Sequence, residues 1–357
     1  MHALSRTGTR APGGAKAPLP AAISLERSPL KRVRVAFVAS VDPPFVQRDR
    51  EILSQAFALR DVRWRGKRSI PTLAAAVLRA DVTFSWFALD HAYGACRLAR
   101  LFHKKSVVFV GGVDAAKRAD LEYGVYLDPA KAALSRYAVT HSDRVLVVDD
   151  RLREDLRVNA GLDRPDIETV PLGFDTAWFS PGDGPRSTVL TVGIITDVNL
   201  RRKGLLTFVE AARLLPGLSF VLVGARDNSA TTRLRAVAPS NVRILGQIPD
   251  EELREEYRHA RVYAQLSEYE AFGSSLAEAM ACGCAPVGTR AGGIPTLIGT
   301  TGPYVSPGDA KAAARAIEAA FESGDGSSAR QRIVENFPLA RRRDSLRRIV
   351  QELADAR

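Results

Sequence analysis

The sequence predicts an α/β protein built from two doubly wound parallel-sheet domains that face a central cleft. Three observations carry that prediction. A chain of 357 residues is too long for one ordinary core and fits two domains. Short apolar runs alternate with helical patterns, as in a parallel sheet covered by helices on both faces. A Pro- and Gly-dense break, PLGFDTAWFSPGDGPRS (171–187), interrupts the alternation, which then restarts.

Residues 1–30 are rich in Ala, Pro, Gly and Arg and hold one acid, Glu26. They read as a disordered basic tail or, less simply, as an organelle transit peptide; they lack the apolar centre of a signal peptide. VRVAFVAS (33–40) is a buried strand. DPPFVQRDREIL (42–53) reads as the loop at its carboxyl edge. Strands follow at 81–87, 106–112 and 144–150, with helices PTLAAAVLRA, HAYGACRLARLF and PAKAALSRYAV between them. After the break, STVLTVGII, LSFVLVG, NVRILG, ARVYAQL and CAPVGT are strands. LLTFVEAARLL, ATTRLRAVA, DEELREEYRHA and SSLAEAMACG are the helices between them. The last segment is a charged helix whose Leu346, Ile349, Val350 and Leu353 need a partner surface. The expected domains are therefore 31–172, joined by the C-terminal helix 338–357, and 173–337.

Charge and cysteine content narrow the function. Residues 1–174 hold 28 Lys and Arg against 19 Asp and Glu, while residues 175–357 hold 23 against 21. A basic first half suits nucleic acid, an anionic membrane or an anionic substrate, or is a solvated surface. WRGKRS (64–69) and RLARLFHKK (97–105) supply a basic, aromatic face. Three cysteines, Cys96, Cys282 and Cys284, argue for a reducing compartment, hence a cytoplasmic protein, and against a disulfide scaffold. No G-x-G-x-x-G follows a strand, which argues against a dehydrogenase. No apolar run approaches the roughly 18 residues of a membrane span.

The chemistry concentrates in SEYEAFGSSLAEAMACGCAPVG (267–288), where Glu270 and Glu278 flank the start of a helix. Gly273 permits a tight turn, and the first N–H groups of a helix attract anions by about 0.3–1 kcal/mol. At about 100° per residue Glu278 points away from the packing face of Leu276 and Met280 and lies beside Ser274. A buried carboxylate needs a donor, such as a sugar hydroxyl; as capping or surface residues the two acids need none. Arg202 and Lys203, beside Gly204, read as the start of a helix, where cations are unfavourable unless an anion is present. No two aspartates are spaced as D-x-D.

The run E-A-F-G-S-S-L-A-E-A-M-A-C-G-C-A-P-V, followed by A-G-G-I-P, resembles the E-x7-E signature of family 4 retaining glycosyltransferases. The likeness continues through PLGFDTAWFSPG, VGIITDVNLRRKGLLTFVEAARLLP and VRILGQIPDEELREEYRHARVYAQLSEYEAFG, over most of the chain. It implies a GT-B fold of two Rossmann-like domains and retaining transfer of a hexose from a nucleotide-diphosphate sugar to a saccharide or lipid-linked acceptor. No cofactor or metal is implied. Glu270 is expected at donor-sugar hydroxyls and Glu278 at the ribose. The N–H groups around Phe272, Gly273 and Ser274 are expected at the diphosphate, with Lys203, Arg202, Arg201 and the glycine Gly193 on the same donor side. An anionic membrane is a further expected contact, through the basic first domain at the inner membrane face; nucleic acid is not.

Two departures from the family pattern stand out. Ile194 follows Gly193 where relatives often carry Arg, so Arg201 or Arg202 is expected to supply that charge. The strand edge that often ends in His reads Gly111-Gly112-Val113-Asp114, which makes Asp114 either a hydroxyl-orienting group or a helix N-cap. Asp42, Arg48 and Asp49 are candidate acceptor contacts. His91 opens a helix at a strand end and either faces the cleft or packs. The departures keep two alternatives open: a catalytically silent nucleotide-sugar-binding protein, or an epimerase-like enzyme of the same fold.

Overall fold

The computed structural model describes residues 33–356, so the tail expected over residues 1–30 lies outside the described residues. The first sheet contains β1 (Arg34–Ala39), β2 (Ala58–Arg63), β3 (Val82–Trp86), β4 (Lys105–Val110), β5 (Arg144–Val147) and β6 (Glu168–Thr169). All are parallel, in the order β2-β1-β3-β4-β5-β6. The second contains β7 (Thr188–Val192), β8 (Ser219–Ala225), β9 (Val242–Gly246), β10 (Ala260–Gln265), β11 (Ala285–Thr289) and β12 (Tyr304–Val305). These are also parallel, in the order β12-β11-β10-β7-β8-β9. The winding direction reverses between β1 and β3 in one sheet and between β7 and β10 in the other. Ligands of such sheets bind outside the carboxyl ends of the strands at those reversals.

The central strands are legible because both faces are covered: every residue of β3 and β11 is buried. The sequence pattern does not announce β2, because only Val62 among its six residues is buried. An edge strand with polar side chains leaves no apolar run to read.

The segment expected as a loop over 42–53 is mostly helix, Pro44–Ala56. Proline at the first turn leaves no needed N–H missing, and Val46, Asp49, Ile52 and Leu53 fall on one buried face. The C-terminal helix Leu339–Asp355 finds its partner here. Leu346, Ile349, Val350 and Leu353 are buried, and the helix packs against Pro44–Ala56 and β3. The chain crosses between sheets at two strands of backbone held together: the Phe174 N–H donates to the Phe337 carbonyl and the Leu339 N–H to that of Phe174, both at 2.9 Å. Gly173 is required there, since a Cβ would sit 2.9 Å from Leu339 Cα.

One expected surface divides in two. Residues 64–69 follow β2 and lie at the carboxyl edge of the first sheet, whereas 101–105 precede β4 and end at its amino edge. Strand direction in a parallel sheet sends them to opposite sides. Among the described residues no helix is long and apolar enough to cross a membrane.

Candidate functional site

A cavity of about 500 Å³ lies between the carboxyl edges of the two sheets, at both reversals of strand order. Arg48, Trp86 and Gly111 reach it from the first sheet; Gly193, Lys203, Glu270 and Glu278 reach it from the second.

The second-sheet wall is built by glycines that let loops meet. β10 ends at Gln265, and the chain turns through Gly273 (φ 107°) into the helix Ser274–Ala281. Gly204 (φ 66°) abuts the Leu266 carbonyl so closely that any Cβ would collide with it. That approach delivers Lys203 to Glu270, with which its ammonium forms an ion pair. Gly292 presses in the same way on the Glu270 carbonyl, which explains the A-G-G-I-P run after the signature.

Glu270 is 8 % exposed. Burial opposes its charge, but Lys203 and Arg202 outweigh that and hold its carboxyl below the usual range. The Gln265 amide donates to it at 3.3 Å and to the Ser267 hydroxyl at 2.7 Å. The Tyr263 hydroxyl, which accepts the Val192 N–H at 3.2 Å, lies 3.4 Å from Gln265 Oε1. These buried polar groups, which fix the Glu270 carboxylate from behind, are absent from the sequence expectations. Their signal is faint: Tyr263 and Gln265 are alternate residues of one apolar strand, hence on one face.

Glu278 is half-buried and accepts a hydrogen bond from the Tyr257 hydroxyl at 2.9 Å. Burial pushes its carboxyl up to about 7, against the pull of Tyr257 and Arg48. The donor it needs is therefore supplied partly by the chain itself. Phe272 is 2 % exposed and packs in parallel with Phe174 at 6.4 Å.

Arg202 lines the cavity, with its guanidinium hydrogen-bonded to Asn199 at 2.7 and 3.0 Å and 4.4 Å from the Tyr123 ring centroid. Its setting differs from expectation. Arg201 and Arg202 close the helix Asp197–Arg202 rather than open one, and cations at a helix carboxyl end are favourable without any anion. Arg201 also turns away from the cavity, donating to Glu268 and to the Asp120 carbonyl, both at 3.0 Å. Ile194, beside Gly193, lines the cavity as an exposed apolar residue.

The first-sheet candidates are differently employed. Asp114 is fully buried, and its carboxylate accepts the N–H groups of Ala88 (2.7 Å), Gly111 (3.0 Å) and Gly112 (2.9 Å). It neither faces the cavity nor caps a helix; it clasps two loops, because three backbone donors surround it. Burial raises its carboxyl, and those donors counteract the shift. Asp49 touches the cavity but is held by Arg342 through two 2.6 Å bonds and by the Trp86 indole at 2.8 Å. Arg342 also donates to the Val170 and Pro171 carbonyls, so the pair ties the C-terminal helix to the crossing strand. Asp42 pairs with Arg50 and Arg63 in a separate pocket of about 120 Å³. Arg48, by contrast, faces the cavity with no ion pair or hydrogen bond from its side chain among the described residues. His91 is buried, with Nε2 2.6 Å from the Trp86 carbonyl, and packs rather than facing the cavity. Among the described residues no group of three His, Cys, Asp or Glu side chains is placed to hold a metal.

Two six-stranded parallel sheets closing on one cavity through their carboxyl edges are the architecture of the GT-B class of glycosyltransferase folds. Residues 25–178 match the family described as Glycosyltransferase Family 4, and residues 186–323 match Glycosyl transferases group 1. The chain belongs to the family 4, group 1 glycosyltransferases. It is 27% identical over 196 residues to a phosphatidylinositol N-acetylglucosaminyltransferase subunit of Arabidopsis thaliana, covering 52% of this chain and 43% of that protein. It is 31% identical over 245 residues to the alpha-maltose-1-phosphate synthase of Mycolicibacterium smegmatis (strain ATCC 700084 / mc(2)155), covering 58% and 62%. The chain thus spans less than two thirds of the length of these relatives. Its fold is similar to that of the Anabaena protein HepE in complex with UDP, with TM-score 0.71 at 14% identity over 91% of this chain and 100% of that one.

Proposed function

We propose that the chain transfers a hexose from a nucleotide-diphosphate sugar to a saccharide or lipid-linked acceptor, with retention of anomeric configuration and without a metal ion. The observation that carries this reading is the Lys203–Glu270 pair in the cavity wall, beside the reversal of the second sheet. The occurrence of UDP in the similarly folded HepE supports a donor of this kind.

Lys203 and Arg202 oppose the negative charge that grows on the departing diphosphate, the role a metal plays elsewhere. Glu270, kept ionised by the same cations, accepts hydrogen bonds from sugar hydroxyls and fixes the sugar for attack. Glu278 keeps one oxygen on Tyr257 and offers the other to ribose hydroxyls. The acceptor oxygen bonds to the anomeric carbon on the face the diphosphate leaves. The carbon–oxygen bond to the diphosphate breaks, and the acceptor proton passes to a diphosphate oxygen. No protein nucleophile takes part. Thermal shifts with UDP, GDP, ADP and dTDP sugars select the donor. Proton NMR of the product then reads its anomeric configuration with and without EDTA. An inverted product overturns retention, and loss of turnover in EDTA overturns metal independence.

A lipid-linked acceptor at the inner face of a membrane is favoured by one further observation. Arg63, Arg65, Lys67 and Arg68 are exposed at the carboxyl edge of the first sheet, and residues 62–80 contain no acid. Val41 and Ile70, 52% and 48% exposed, lie at the same edge. Co-sedimentation with anionic vesicles that weakens with salt is expected. A chain that stays in the supernatant at low salt sinks this part of the proposal.

A further inference from the structure

The loop clasped by Asp114 also bears on the segment that carries Glu270. Tyr269, immediately before Glu270, is 9% exposed, and its hydroxyl donates to Asp155 Oδ2 at 2.8 Å and lies 3.3 Å from the Gly112 carbonyl. Ala271, immediately after Glu270, meets the same glycine: a Cβ on Gly112 would sit 2.5 Å from the Ala271 Cβ. Gly112 has φ 124° and holds that shape because its N–H is fixed by Asp114. Arg118 adds a bond to the Glu268 carbonyl at 3.1 Å. Both chain neighbours of Glu270 therefore rest on one first-sheet loop.

From this geometry we infer that Gly112, Asp114 and Asp155 form a seat for the Glu270 loop, with Tyr269 as its latch and a positioning residue for transfer. The inference rests on the proposed transfer reading for its kinetic consequence. The G-G-x-D edge thereby acquires a role in orienting Glu270, by bearing on the backbone at each side of it. Tyr269 keeps its ring on Tyr123, at 5.4 Å, whether or not its hydroxyl is present. Removing the hydroxyl thus loosens the latch without opening a cavity.

The test compares Tyr269→Phe, Asp155→Leu, their double variant and Asp155→Asn, which retains an acceptor oxygen. Nucleoside diphosphate release is followed in water for whichever of UDP-glucose, GDP-mannose, ADP-glucose or dTDP-glucose binds. Hydrogen exchange is followed over residues 266–273. Both single variants are expected to lose about tenfold in kcat, with KM and nucleotide affinity unchanged. The double variant is expected to lose no more, Asp155→Asn to stay within about twofold of the parent, and exchange to rise only where kcat falls. A Tyr269→Phe chain with unchanged kcat and exchange overturns the inference, as does a double variant whose losses multiply. If the parent chain releases nucleoside diphosphate from none of the sugars while exchange still rises, the kinetic consequence fails and the seat stands.

Discussion

The two walls of the cavity use carboxylates in opposite ways. On the first-sheet side Asp49, which alone of the three touches the cavity, Asp114 and Asp42 are each held by the chain's own donors: a buried guanidinium, three backbone N–H groups, and two arginines. On the second-sheet wall Glu270 and Glu278 face the cavity with partners that leave some bonding capacity free: one ammonium and one amide for the first, one hydroxyl for the second. An acid whose oxygens are all engaged fixes loops. One with an oxygen to spare, in a pocket with cations, is equipped to bind a ligand. The residue type is the same; the local donors decide which it becomes.

Replacing Glu270 breaks the comparison most sharply. Glu270→Ala should lower transfer by about 10²–10³-fold, with thermal stability nearly retained, as is typical for losing one preorganised polar group at the reacting centre. Normal turnover in that variant removes the second wall from the mechanism. Asp49→Ala should show the reverse signature. It leaves Arg342 buried without its counter-ion and should cost about 3–5 kcal/mol in urea unfolding. A stability loss below about 1 kcal/mol there would show that Asp49 is free for an acceptor after all.

Glu278 supplies a pH-dependent test. Its carboxyl titrates near 7, so the ionised form that accepts ribose hydroxyls prevails above that value and disappears below it. Nucleotide affinity measured by calorimetry should weaken as pH falls from 8 to 6, by up to about tenfold per unit, and Glu278→Gln should flatten the dependence. The stability effect has the opposite sense. The folded state holds this proton up to about pH 7, whereas an unfolded glutamate releases it near 4.3. The contribution of Glu278 to stability therefore declines as pH rises across that window, and Glu278→Gln should be the more stable chain at pH 8. The smallest effect is expected from Arg201→Ala. Arg201 and its partner Asp120 are exposed, while Glu268 is half-buried, so stability should change by about 0–1 kcal/mol and nucleotide affinity should not change.

Much of the molecule is legible in the sequence. The covered strands show themselves as apolar runs, and the Glu270–Glu278 spacing with Gly273 between them marks the turn at the cavity. Some local readings fail where two patterns look alike. Pro43-Pro44 suggests a loop, yet Pro44 opens a helix; Arg201 and Arg202 sit next to a helix start but end the preceding helix. The role of Asp114 is illegible because its three donors come from residues 88, 111 and 112 on two different loops.

The alternation of strand and helix, the restart after residue 187 and the short-range motif at 267–288 are written in the chain itself. They depend on apolar periodicity and on glycine where backbone must turn, both local properties. Which carboxylates are free is settled only when the chain has folded. The partners of Asp49 and Glu270 lie 293 and 67 residues away, on Arg342 and Lys203. Sequence spacing carries no record of such pairs, because winding order and the return of the last helix bring them together.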